Sequence, residues 1–157
     1  MPPLRIYADT SAIGGCFNKQ FAADSVRLMN MVRRGRVILL LSDVVIAELQ
    51  GAPERVRGVL VGLPASAIQD VPITAEVTRL RDAYLKAGIV GPKWVDDATH
   101  VAAASVAGAD AIVSWNFKHI VRLDKMKAYN VVNRTLGYRD LTIATPTLVA
   151  REEENRQ

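Results

Sequence analysis

Cysteine and histidine are scarce in this chain of 157 residues: one cysteine, Cys16, and two histidines, His100 and His119. One cysteine excludes an internal disulfide, and so few Cys and His exclude a Cys/His zinc cluster. Long apolar runs are missing as well. The longest aliphatic stretch, Val37-Ile38-Leu39-Leu40-Leu41, falls far short of the ~20 residues of a membrane-spanning helix. The opening Met1-Pro2-Pro3-Leu4-Arg5 has no basic-then-apolar organisation of a secretory signal. These absences predict a cytoplasmic protein of a reducing compartment, with no membrane partner. There is no G-x-G-x-x-G after the first apolar run and no Gly-rich loop ending in Lys-Ser or Lys-Thr, which disfavours nucleotide binding. No repeat, linker or low-complexity block interrupts the chain.

Half the residues are hydrophobic and 23% are charged, so one domain with a substantial core is expected and global disorder is not. The formal net charge is +4. That suits a polyanionic partner and equally serves solubility. We expect one domain over residues 1–150 and a charged, frayed tail over 151–157.

The pattern alternates strands with helices. Leu4, Ile6 and Ala8 alternate with Arg5 and Tyr7, a period-2 strand ending on Asp9-Thr10-Ser11. Ala22 to Arg34 has helical spacing and stops at Gly35. Val37 to Leu41, without alternation, reads as a strand buried on both faces. Ser42 or Asp43 can cap the helix over 44–49, and a further helix follows at 54–63. Ala67 to Val71 is a weaker strand. Thr74 can cap a helix to Ala87. Val95 to Ala107 is a helix rich in small residues (Ala98, Ala102, Ala103, Ala104), able to lie close against a sheet. Strands at Asp110–Ser114 and Leu141–Ala144 flank a mostly helical stretch. Strands alternating with helices imply right-handed crossovers and a mainly parallel sheet of four or five strands, covered on both faces.

Parallel topology brings distant acids together. Asp9 ends the first strand, and Glu48 lies early in the helix after the second. Asp96 and Asp97 open the helix before the Asp110–Ser114 strand, and Asn116 follows that strand. All five fall at the carboxyl edge of the sheet, where open α/β sheets bind ligands. Each also has a structural reading. Asp9 can be an N-cap, Glu48 a solvated helix residue, Asp96 and Asp97 partners of a helix dipole, and Asn116 a cap. Converging carboxylates without Lys or Arg repel one another, and a divalent cation removes that conflict. All-oxygen ligation favours Mg²⁺ or Mn²⁺ over zinc. Such a cluster on a basic domain suggests phosphodiester hydrolysis. Lys118, His119 and Arg122 would hold neighbouring phosphates of the substrate. Trp115 and Phe117 could stack on a base or pack the core.

Four segments carry a family resemblance: Tyr7-Ala8-Asp9-Thr10-Ser11, Val44-Val45-Ile46-Ala47-Glu48-Leu49, Asp97-Ala98-Thr99-His100-Val101-Ala102-Ala103-Ala104 and Ile112-Val113-Ser114-Trp115-Asn116-Phe117. In kind and order they resemble the four motifs of PIN domains, across nearly the whole chain. The resemblance implies a Rossmann-like three-layer α/β/α sandwich, Mg²⁺ or Mn²⁺ binding and endoribonuclease activity. Many single-domain relatives are VapC-type toxins, which implies a protein antitoxin and a homodimer. By resemblance Asp9, Glu48 and Asp97 match the first three acids, and Thr10 or Ser11 matches the hydroxyl beside the first. Asn116 stands where the family often has Asp, as a weak or water-mediated ligand, and Asp96 is a further candidate. His100 shares the Asp97 helix face and either supports the site or packs against the sheet. Two other readings stay open: a PIN-fold module weakened in catalysis that binds RNA or protein, and a phosphatase-like enzyme. The latter would be expected to carry an Asp two positions after Asp9, where this chain has Ser11.

Overall fold

Apolar runs too short for helices pair here as strands. β1 (Leu4–Ala8), β2 (Val37–Ser42), β3 (Ile68–Val71), β4 (Ala111–Val113) and β5 (Thr142–Ala144) form one sheet in the order β3-β2-β1-β4-β5. A computed structural model describes residues 2–156. Every pairing is parallel, with Tyr7 opposite Leu40 on one side and Ile112 on the other. The helices are α1 (Thr10–Gly14), α2 (Ala22–Arg33), α3 (Asp43–Gln50), α4 (Glu54–Val61), α5 (Ala75–Lys86), α6 (Val95–Val106), α7 (Leu123–Thr135) and α8 (Pro146–Arg156). They flank the sheet as a three-layer α/β/α sandwich, as expected.

The order of strands positions the site. The chain moves outward from β1 through β2 to β3, then returns to place β4 on the other side of β1. The switch point therefore lies between β1 and β4, where an open parallel sheet leaves a crevice at its carboxyl edge. Asp9 and Ser114 stand there, since Ala8 pairs with Val113 and the Asp9 N–H donates to the Val113 carbonyl. The sheet is dry: Ile6, Leu39, Leu40, Ile112 and Val113 are all buried. Each such side chain contributes about 1.5–3 kcal/mol. The small residues of α6 do what their size allows. Ala98, Ala102, Ala103 and Ala104 are fully buried, and α6 contacts both β2 and β4. The glycine after Gly14 is required by packing. A Cβ at Gly15 would collide with Ser25 Oγ and stand 2.6 Å from the Trp115 indole nitrogen.

Tyr7, on the opposite face of β1 from Ile6 and Ala8, is fully buried as well. The central strand is covered on both faces, so alternation does not sort its side chains. Cys16 is half-buried. The charged C-terminal stretch is helical. Residues 151–156 continue α8, whose Val149 and Ala150 are buried. Pro146 suits the first helical position. Glu154 pairs with Arg27 at 2.8 Å, and Glu153 with Arg34 and Arg36 at 3.5 Å each. The basic residues around α2 neutralise the charges that made this segment look solvated. Gln157 lies outside the described residues.

Candidate active site

Asp9 is the N-cap of α1, and its carboxylate is held from three directions. Oδ1 accepts from the Ala12 N–H at 3.0 Å and the Ser11 hydroxyl at 2.7 Å, and Oδ2 accepts from the Ser114 hydroxyl at 2.5 Å. The two serines are held in turn. Ser11 Oγ accepts from the Trp115 N–H and Ser114 Oγ from the Asn116 N–H, both at 2.9 Å. The loop after β4 thus locks the acid at the end of β1, and Asp9 is only 4% exposed. Thr10, the other hydroxyl expected to support Asp9, has a buried Oγ1 with no protein partner.

Glu48, on α3, is fixed by a buried relay. The His100 Nε2 is 2.6 Å from Glu48 Oε1, His100 Nδ1 is 2.7 Å from the Tyr7 hydroxyl, and that hydroxyl is 2.6 Å from Ser42 Oγ. One direction of donation satisfies every group. Ser42 accepts from the Val45 N–H as N-cap of α3, so its hydrogen turns to Tyr7. The Tyr7 hydrogen then meets Nδ1, and the proton on Nε2 goes to Glu48, which as a carboxylate only accepts. Burial alone would lower the His100 pKa. The Glu48 hydrogen bond and the fields of Asp9, Glu48 and Asp97 outweigh it and raise it. His100 is therefore a buried support with partners across the fold, which goes beyond packing against the sheet.

Asp96 and Asp97 lie in the first turn of α6. Asp96 is exposed and Asp97 half-buried. Burial raises the Asp97 pKa. His100, His119 and the Asn116 amide oppose that, and Asp9 adds to it. Asn116 behaves as the cap that its side chain allows: Oδ1 accepts from the Lys118 N–H at 3.1 Å and the His119 N–H at 2.9 Å. Its oxygen is engaged by the backbone, and its amide acts on Asp97.

Glu48, Asp96, Asp97 and Asn116 share one cleft of ≈ 470 Å³ with Lys93, Trp94, Lys118 and His119. Of the three basic residues expected to hold phosphates, Lys118 and His119 line it. Arg122 does not; its guanidinium donates to Asp124 at 2.7 and 2.9 Å. Burial lowers the His119 pKa, with Lys118, Lys125 and Arg122 adding to the effect against Asp97. Trp115 is structural. Its ring stacks on Phe21 at 4.2 Å and its N–H donates to Ser25. Ser114, Tyr7, Lys93 and Trp94 were not anticipated from the sequence. Only Ser114 carried a signal, its place at a strand end beside Asp9.

No protein-family model matches the sequence, and no curated protein matches it. Solved structures match the backbone. A crystal structure of VapBC2 from Rickettsia felis, bound to a DNA fragment from their promoter, aligns with a TM-score of 0.56 at 16% identity. The match covers 89% of this chain and 97% of that one. VapC20 of Mycobacterium tuberculosis, a Sarcin-Ricin loop cleaving toxin, aligns with a TM-score of 0.50 at 14% identity, over 87% and 98% of the two chains. The chain has the PIN-domain fold. Tyrosyl-tRNA synthetase from Aeropyrum pernix also aligns, with a TM-score of 0.50 at 12% identity, over 91% of this chain and 52% of that one. A layered α/β backbone shared with a synthetase does not choose an activity. The site must do so.

The residues fit an oxygen-preferring divalent cation by chemistry. Asp9, Glu48, Asp96 and Asp97 form no ion pair with Lys or Arg among the described residues. Nor do three or more Asp, Glu, His or Cys side chains stand there as a ready-made cage.

Proposed function

We propose that the protein is a metal-dependent endoribonuclease that hydrolyses RNA phosphodiester bonds, with Asp9, Glu48 and Asp97 as its acids and Mg²⁺ or Mn²⁺ as cofactor. One observation supports the reading: Asp9, Glu48 and Asp97 all bear on His100 at the carboxyl edge of a PIN fold, and none of them is ion-paired with Lys or Arg among the described residues. A cation bound there would lower the pKa of an attacking water and stabilise charge on the phosphate. The chain's own residues prepare this. Ser11 and Ser114 orient Asp9. His100 fixes one oxygen of Glu48 and leaves the other free. Asp97, disfavoured as a bare anion by its burial, gains when a cation arrives. Lys118 and His119 face the same cleft, where they can hold the substrate's phosphates. Asn116, with its oxygen engaged, contributes to Asp97 and the loop more than to the cation, and Asp96 offers a further oxygen at the rim.

The likeness to VapBC2 and VapC20 supports a toxin of a two-protein pair with a protein antitoxin, and a homodimer is the assembly we propose for it. Light scattering at micromolar concentration reads the dimer. No helix among the described residues is long and apolar enough to cross a membrane. The second reading, a PIN module that binds without cutting, draws on Asn116 and on the absence of a closed cage among the described residues.

Purified protein incubated with total RNA separates the two. Cleavage with Mg²⁺ or Mn²⁺ should stop with EDTA. Asp9→Asn should lose at least about a hundredfold in rate, as removal of a preorganised electrostatic group does, while its melting curve stays cooperative. Cleavage that survives both EDTA and Asp9→Asn would overturn the assignment. RNA bound and never cut would favour the second reading.

A further inference from the structure

The wall of the cleft facing the acids has an arrangement of its own. Lys93 Nζ and Lys118 Nζ both rest on the Trp94 indole, 5.1 and 5.2 Å from the ring centroid. The His119 ring lies 4.3 Å from the same indole, tilted by 30°. Two separate loops deliver these groups. Lys93 and Trp94 lie in the turn before α6, just ahead of Asp96 and Asp97. Lys118 and His119 follow Asn116, which holds both of their backbone N–H groups.

Two like charges on one ring repel each other, and neither lysine has a carboxylate partner among the described residues. Yet Glu48, Asp96 and Asp97 line the same cleft. A cation–π contact at an exposed site is weak and easily given up. The arrangement is a resting place for two ammonium groups that lack an anion. An acidic peptide entering here would meet the opposing carboxylates. A phosphodiester fits better, because its nucleotide brings a flat base as well as a charge.

We propose that Lys93, Lys118 and Trp94 form a nucleotide seat beside the acids. The two ammonium groups leave the indole to hold one phosphate of a single-stranded RNA, and the ring takes the unstacked base next to it. Single strands are favoured because their bases are free to stack on an aromatic side chain, as duplex bases are not. The seat rests on the nuclease reading for its purpose, but its binding is measurable without catalysis.

The experiment titrates the protein in EDTA into a dye-labelled short single-stranded oligoribonucleotide, following its anisotropy for affinity and tryptophan fluorescence as a second signal. The chain has two tryptophans, Trp115 being held by Phe21 and Ser25, and loss of the tryptophan signal in Trp94→Phe would assign it to Trp94. Trp94→Phe should lose the signal and keep most of the affinity. Trp94→Ala should weaken binding at least about fivefold. The double variant Lys93→Ala with Lys118→Ala should weaken it roughly tenfold at low salt. Its plot of log affinity against log salt should flatten by about 0.7 for each phosphate that the protein no longer neutralises. Duplex DNA of equal length and inorganic phosphate should bind more weakly than the single strand. Unchanged affinity and salt slope in the double variant would overturn the seat, as would duplex DNA bound as tightly as RNA with the same losses. The two readings fail separately. A parent that cuts RNA alongside a double variant that binds and cuts equally well sinks the seat alone. A parent that binds RNA through the seat and never cuts it sinks the nuclease alone.

Discussion

The two ends of β1 treat charge in opposite ways. At the amino end Arg5 is fully engaged. Its guanidinium donates to the Gly108 carbonyl at 2.9 Å, the Ala107 carbonyl at 3.0 Å and Gln69 Oε1 at 3.1 and 3.3 Å. Its backbone N–H donates to the Asp110 carboxylate at 2.8 Å. The cation thus closes the C-terminal end of α6, where carbonyls lack helical partners. At the carboxyl end, just past Ala8, Asp9 meets neutral donors, and Glu48 and Asp97 form no ion pair with Lys or Arg among the described residues. One strand therefore runs from a cation that closes a helix end to an edge where acids stand without a cationic partner from Lys or Arg. The difference separates stability from function along a single element.

Loosening the support of the carboxyl end should have the largest effect. Tyr7→Phe keeps the ring and removes the hydroxyl joining Ser42 to His100. His100 Nδ1 then loses its donor, and the tautomer that presents Nε2–H to Glu48 is no longer imposed. Partners of this kind are worth about 10- to 100-fold in metal affinity or activity. We expect the rate of RNA cleavage to fall within that range and half-maximal activity to need more Mg²⁺. The buried groups left unpaired should also cost about 1–3 kcal/mol of stability. The metal dependence is the deciding measurement. An unchanged Mg²⁺ midpoint with a lowered melting temperature would make the relay purely structural.

Breaking the other end should give the reverse pattern. Arg5→Ala removes a cation and its hydrogen bonds from the end of α6 and should cost about 2 kcal/mol. Cleavage per folded molecule should match the parent. Denaturant melts read the first, and rates measured well below the transition read the second. Loss of activity without loss of stability would erase the contrast between the ends.

Asp9 was legible because it followed an apolar run at the edge where parallel strands finish, and α6 because its alanines declared a close sheet contact. The burial of Tyr7 was not legible, because a strand covered on both faces carries no alternation signal. Nor was the pairing of Arg122 with Asp124, two residues on, which shows only in the folded loop. The ion pairs of the charged end of α8 were hidden by distance, since their partners, Arg27, Arg34 and Arg36, lie more than a hundred residues earlier. Lys93 and Trp94 acquire meaning only when their turn meets the loop after Asn116. Local pattern reports what a residue is, and these meetings depend on where the crossovers of the sheet return.

The smallest expected effect separates two accounts of Asp97. As an acid in the first turn of α6 it should favour the helix dipole by about 0.3–1 kcal/mol, and Asp97→Asn would then lower the melting temperature. As an acid whose pKa is raised, with burial the leading cause, it is favoured in its protonated form by the fold. Between the ordinary carboxylate value and the raised one, the folded state binds more protons than the unfolded state. Stability therefore falls as pH rises through that window. Above the window the penalty of the ionised form is fully present, and below it the penalty is absent. In metal-free buffer at neutral pH, Asp97→Asn should raise the melting temperature. The shift should be on the order of one or two degrees, because the group is half exposed and solvent screens it. The gain should vanish on acidification through the carboxylate range. Mg²⁺ should stabilise the parent more than the variant. A lower melting temperature for Asp97→Asn at neutral pH would assign this carboxylate to the helix, and the contrast between the two ends of β1 would then rest on Asp9 and Glu48.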